Sequence, residues 1–174
     1  MECVFCKIAS GEIPSMKIFE DDFFMAVFDI KPANPGHFIV FPKKHIPFIT
    51  EMNDRELGRL FLIIKELSKK IVSAVGAEGF NIIYSAGAVA GQITPHLIVH
   101  VIPRFKQDKV KIEWKPIQLS EELYKKIYEK ILSKGETKQH REMPAKETAK
   151  KEKKQDDKKP EEIPKVSRKL PGYW

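Results

Sequence analysis

Between Pro95 and Pro103 the chain reads His96-Leu97-Ile98-Val99-His100-Val101-Ile102, and this run limits the fold more than any other. Successive side chains of a strand point to opposite faces. His96, Ile98 and His100 therefore share one face, and Leu97, Val99 and Val101 share the other. The wholly apolar face predicts a sheet packed on a core, with the strand ending at Pro103. The second face carries two imidazoles beside Gln92 and a glycine-containing loop, so it is either a polar site or a pair of hydrogen-bonded core histidines.

The neighbouring segments supply the rest of such a sheet. Residues 16–30 and 37–42 are rich in apolar residues and broken by Pro32, Pro35 and Gly36, which predicts two or three strands joined by turns. Asn53 with Glu56 three residues later predicts a capped helix start. Leu57, Leu60, Phe61, Ile64, Leu67, Ile71 and Val75 then recur at helical spacing as far as Gly76, a suitable stop. Asn81–Tyr84 reads as a further strand, and Ser85 to Gln92 as the loop that follows. Ser120 to Ser133 reads as a second helix with Glu121 and Glu122 in its first turn, where the helix dipole favours acid.

Charge divides the chain. Met1 to Val110 holds 13 Lys/Arg and 12 Asp/Glu, a net of +1, whereas Lys111 to Trp174 holds 18 and 12, a net of +6. A basic nucleic-acid surface is therefore not indicated for the folded part. Residues 136–169 have no aromatic and few apolar side chains, so a disordered tail is expected there, with Leu170-Pro171-Gly172-Tyr173-Trp174 restoring aromatic character at its end. The expected organisation is a domain at 1–110, a helical extension at 111–135 and the tail at 136–174. No apolar run approaches the ~20 residues that span a bilayer. No signal peptide precedes the domain either, so a soluble cytoplasmic chain without membrane partners is expected.

Cys3 and Cys6 are the two cysteines. A disulfide between them would close too small a loop to stabilise much. That leaves metal binding, redox chemistry, or two plain buried thiols. Two sulfurs make half of a tetrahedral zinc site. His37, His45, His96 and His100 are the histidines available to complete it, with His140 set aside in the tail.

The run Gly91-Gln92-Ile93-Thr94-Pro95-His96-Leu97-Ile98-Val99-His100-Val101-Ile102-Pro103-Arg104 resembles the histidine-triad (HIT) signature. Cys6-Lys7-Ile8, Gly11-Glu12-Ile13-Pro14, Glu20-Asp21-Asp22, Phe28-Asp29-Ile30 with Pro32, Gly36-His37 and Pro42-Lys43-Lys44-His45 match the same family in order, over residues 3–105. The resemblance implies an α+β HIT-like fold, with a five-stranded antiparallel sheet, one main helix and a C-terminal helix. It also implies a homodimer whose sheets continue into each other, purine nucleotide binding, and cleavage at the α-phosphate after attack by the middle histidine. The third histidine and the glutamine, here His100 and Gln92, hold the phosphate. In the zinc-containing branch, the positions of Cys3, Cys6, His45 and His96 bind a structural zinc. Val4, Phe5, Ile8, Val27, Asp29 and Ile30 fall where members hold the nucleoside, Asp29 accepting from ribose hydroxyls. Each apolar member taken singly reads better as ordinary core; Asp29, a carboxylate between Phe28 and Ile30 that needs a partner, reads as a ligand group ahead of a structural cap.

One substitution undercuts the implied activity. The middle triad position is Ile98, which has no lone pair with which to attack phosphorus. His100 lies one pleat away, about 6–7 Å along a strand. Ser85 stands where the family has asparagine, and Ile93 places an apolar side chain after Gln92. The expectation is a zinc-binding pseudoenzyme with no intact catalytic set. It acts as a nucleotide-binding or scaffold module, its tail reaching a protein or an RNA-containing assembly through Lys150, Lys151, Lys153, Lys154, Lys158, Lys159 and the terminal aromatics. The alternative is a residual hydrolase or transferase acting at the α-phosphate.

Overall fold

The structure, a computed structural model, describes residues 3–134. The expected tail, His140 and the terminal Tyr-Trp lie outside the described residues. The chain separates after Trp114 into two units.

In the first unit the elements are α1 (Val4–Ser10), β1 (Lys17–Glu20), β2 (Phe24–Phe28), β3 (Phe38–Pro42), α2 (Asp54–Val75), β4 (Gly79–Tyr84) and β5 (Val99–Arg104). The second holds α3 (Glu121–Lys134), where the Ser120 hydroxyl accepts from the Leu123 amide at 3.3 Å. The five strands form one antiparallel sheet in the order β1-β2-β3-β5-β4. This is the α+β architecture the sequence predicts.

Helix α2 starts as read. Asn53 accepts from the Glu56 amide at 2.9 Å, the Glu56 carboxylate accepts from the Asn53 amide, and Gly76 closes the helix at φ +66°. Its apolar stripe of Leu60, Ile63, Ile64 and Leu67 covers one sheet face, meeting Phe24, Ala26, Phe38, Val40, Leu97, Val99 and Val101. Each such fully buried side chain contributes about 1.5–3 kcal/mol. The opposite face carries Met25, Val27, Ile39 and Phe41, covered by Phe5, Ile8 and Ala9 of α1 together with Ile98. The predicted alternation of the 96–102 run is thus realised, with Leu97 and Val99 in the core beneath α2 and Ile98 on the opposite face.

Two local expectations need correction. The last strand does not stop before Pro103 but continues to Arg104, with Phe80 opposite Pro103. Pairing between β3 and β5 ends at Val101, so Pro103 lies where β5 has a single neighbour and a missing N–H is tolerated. The strand also starts later than read, because the Leu97 amide donates to Ile46 rather than to a ladder. Helix α1 went unread. Its seven residues include none that is buried and no side chain caps its start, so it has no strong periodic signal; Gly11, left-handed at φ +86° with its N–H on the Ile8 carbonyl, is the one mark of its end. Among the described residues, no helix is long and apolar enough to cross a membrane.

Candidate functional site

The α1-covered face of the sheet holds two polar clusters separated by an apolar floor. Cys3 precedes α1 and Cys6 lies within it, His45 follows β3, and His96 precedes β5. Their donor atoms all lie within 4.8 Å of one another. Cys3 Sγ is 3.3 Å from His96 Nδ1, Cys6 Sγ is 3.8 Å from the same nitrogen, and Cys6 Sγ is 3.3 Å from His45 Nδ1. Bonds of about 2.3 Å to sulfur and 2.0–2.1 Å to nitrogen at the tetrahedral angle put S and N about 3.6 Å apart, so these spacings suit one metal ion.

The surroundings of His96 agree. Its Nε2–H donates to the Pro42 carbonyl at 2.8 Å, which leaves Nδ1 unprotonated toward the sulfurs. Metal-bound histidines are held in this way. Burial pushes His96 below its ordinary value and keeps the ring neutral. Burial and the neighbouring Cys3 sulfur push the Cys6 thiol up, so two thiolates here require a compensating cation.

At the other end, Asp29, His37 and His100 also bring three donors together. His37 Nε2 is 3.1 Å from His100 Nδ1, and Asp29 Oδ2 is 3.6 Å from the first nitrogen and 3.5 Å from the second. A metal does not suit this trio. The Ala33 amide donates to His37 Nδ1 at 3.0 Å, so the ring proton sits on Nε2, the atom a metal would need. His37 Nε2–H then donates to His100 Nδ1, and the His100 proton falls on its far nitrogen, Nε2. Burial lowers both imidazoles, against the opposing pull of Asp29. Asp29 has two duties, since Oδ1 also accepts from the Lys31 amide at 2.8 Å.

Between the clusters lies the floor of Met25, Val27, Ile39, Phe41 and half-buried Ile98, walled by Phe5 and Ile8. Phe5 packs edge-on to Phe41 with centroids 5.2 Å apart, and its ring lies 5.7 Å from that of His96.

Of the residues singled out in sequence, Phe5, Ile8, Val27 and Ile98 come together here, with Asp29 and His100 at the polar end. Ile30 is 92% exposed and Ile93 is 98% exposed, so neither is enclosed. Val4 is exposed as well. The side chain of Gln92 ties loop to loop: its Oε1 accepts from the Gly87 amide at 2.7 Å and its Nε2 donates to the Pro47 carbonyl at 3.0 Å. In the sequence His37 stands as one of the histidines available for zinc; the structure places it instead beside Asp29 and His100. The alternation His37, Ile39, Phe41 places it on the site face and was the available signal.

A family model described as "HIT domain" matches residues 10–107. An uncharacterized HIT-like protein of Methanocaldococcus jannaschii is 39% identical over 124 residues, covering 70% of this chain and 95% of that protein. The adenosine 5'-monophosphoramidase hnt1 of Schizosaccharomyces pombe is 33% identical over 126 residues, covering 72% and 92%. Among solved structures, SMU.412c of Streptococcus mutans superposes with a TM-score of 0.72 at 34% identity, over 76% of this chain and 85% of that one. A Zn-bound histidine triad family protein of Mycobacterium smegmatis gives 0.60 at 30% identity, over 78% and 99%. The histidine triad nucleotide-binding protein of Candida albicans gives 0.68 at 27% identity, over 76% and 96%. This chain belongs to the HIT family.

Proposed function

We propose that this HIT protein is a zinc-stapled binding module that holds a purine nucleotide through its nucleoside part and does not carry out covalent turnover. The observation that carries this reading is Ile98, half-buried against the cluster of Met25, Val27, Ile39 and Phe41, at the position the family resemblance assigns to the nucleophile. Zinc at Cys3, Cys6, His45 and His96 would fix α1, and with it one wall of the pocket, to the sheet. A cytoplasmic setting, where thiols stay reduced, suits those ligands.

The partners follow the same logic. β4 is an edge strand with Phe80 and Ile82 over 40% exposed, which supports a homodimer formed by pairing of sheet edges. The module at 1–110 is then followed by the extension at 111–135 and the Lys-rich stretch at 136–174, proposed as a tether to a protein or an RNA-containing assembly.

Stoichiometric protein is mixed with adenosine 5'-monophosphoramidate and followed by phosphorus NMR. No AMP and no adenylyl-histidine are expected over hours; a burst of AMP would sink the reading. Residual hydrolysis at the α-phosphate is the second reading, favoured by His100, which presents an Nε2–H donor on a side chain 39% exposed. In that case any AMP release disappears in His100→Ala.

A further inference from the structure

The register places Val27, Ile39 and His100 in one row across three strands, with Ile83 next to His100 on the fourth. Two residues before His100, just ahead of β5 and on the same face, Ile98 joins Met25 and Phe41 in the floor. The face thus grades from a hydrogen-bonding end, Asp29–His37–His100, through an uninterrupted apolar floor, to the metal-type cluster.

Each feature bears on the charge of the ligand. The hydrogen-bonding end consists of one carboxylate and two imidazoles that burial keeps neutral, a sum of −1. Asp29 Oδ2 accepts hydrogen bonds, so it suits hydroxyl donors and repels anions. Where an attacking imidazole would face a phosphate, Ile98 offers hydrocarbon, and stripping water from a phosphate dianion against hydrocarbon is strongly unfavourable. Gln92, the other side chain implied for the phosphate, spends its carbonyl on Gly87 and one N–H on Pro47. A nucleoside whose ring lies against Phe5 and Ile8, which themselves cover the floor, and whose vicinal diol reaches Asp29 brings no charge to this end; a 5'-phosphate finds there the His100 Nε2–H and the second Gln92 N–H alone.

We propose that this site takes an uncharged purine nucleoside in preference to its 5'-phosphate, and that Ile98 is the residue that sets this preference. The inference rests on the nucleoside-binding reading above and narrows it to a ligand class. Loss of the nucleophile is then also a change of specificity.

Isothermal titration of the full metal-loaded chain at pH 7.5 with adenosine and, separately, AMP tests it. Adenosine is expected to bind at least about 10-fold more tightly, the equivalent of about 1.4 kcal/mol. Equal or tighter binding of AMP overturns the inference and leaves nucleotide binding standing. If neither ligand binds, the inference and the reading beneath it both fall. In Ile98→His the ratio is expected to move about 10-fold toward AMP. An unchanged ratio in a variant that melts like the parent removes Ile98 as the determinant and overturns that part.

Discussion

His37 Nε2 lies 3.1 Å from His100 Nδ1, while the opposite nitrogen of His37 accepts the Ala33 amide hydrogen at 3.0 Å. Because Ala33 N–H can only donate, the direction of every hydrogen bond along this chain of rings is fixed. Nitrogen-15 NMR of the ring nitrogens is expected to report Nε2–H tautomers for both residues at pH 7.5. His37→Ala should leave His100 as a mixture of tautomers. An Nδ1–H tautomer at His37 in the parent would contradict the arrangement.

Acid sensitivity follows from the same pair. Burial holds His37 and His100 below their ordinary value of 6.5, opposed by Asp29. The unfolded chain therefore takes up protons first. The stability these rings contribute is complete above about pH 6.5 and is lost as pH falls from there toward the lowered folded values. Melting temperature of the metal-loaded protein should decline between pH 7 and 5, and the decline should be shallower in His37→Asn. A slope equal to the parent's in that variant would exclude His37 as a contributor.

Metal removal should act first on α1. This helix has seven residues and none buried, and helices so short are not stable by themselves. Cys3 precedes it, Cys6 lies within it, and its Phe5 and Ile8 pack on the cluster of Met25, Val27, Ile39 and Phe41. Chelation, or Cys6→Ser, is expected to lower the melting temperature by roughly 10–20 °C where free metal had been about 100 times Kd. It should also expose residues 3–10 to protease and weaken adenosine binding, while the far-ultraviolet dichroism of the sheet persists. An unchanged melt would show that α1 is held by packing alone.

Gly36 is fixed by two constraints. Its φ is +81°, and an added Cβ would sit 2.9 Å from Ile71 Cγ2 and 3.1 Å from Val75 Cγ1. Gly36→Ala is expected to cost about 1–3 kcal/mol in urea unfolding, from left-handed backbone strain and overpacking together. Because the residue precedes His37, the His37–His100 bond should loosen as well. A cost below about 0.5 kcal/mol would mean that α2 yields freely at Ile71.

Ile98→His is expected to restore slow release of AMP from adenosine 5'-monophosphoramidate, detectable at stoichiometric protein. If phosphorus NMR shows none, Ser85 is the next residue to change, since the Ile93 side chain is 98% exposed.

Periodic signals in the sequence located the sheet and main helix well. The Asn53–Glu56 box, the α2 stripe and the two faces of the 96–102 run each follow from local geometry and are kept on folding, although the strand itself runs from Val99 to Arg104. The strand through Pro103 was not legible, because its tolerance depends on where β3 stops pairing. Nor was α1, which is short and whose apolar side chains Phe5 and Ile8 pack on strands distant in sequence. In the site, Cys3, Cys6, His45 and His96 converge as the family resemblance implies, although His45 and His96 stand far from the cysteines in sequence. The role of His37 depends on a backbone amide four residues earlier in the chain, and the anchoring of Gln92 on a carbonyl 45 residues away. Neither partner leaves a mark in composition or spacing.

Strand order β1-β2-β3-β5-β4 has a consequence for a chain emerging from the ribosome. The last of the five strands to be made occupies the slot between β3 and β4, so until residue 104 is free both neighbours present open edges. Synthesis at ~5–20 residues per second makes that interval seconds long, during which Phe38–Pro42 and Gly79–Tyr84 are available to the wrong partner. A nascent chain stalled before Val99 would therefore be the aggregation-prone form of this protein, and one stalled after Arg104 would not.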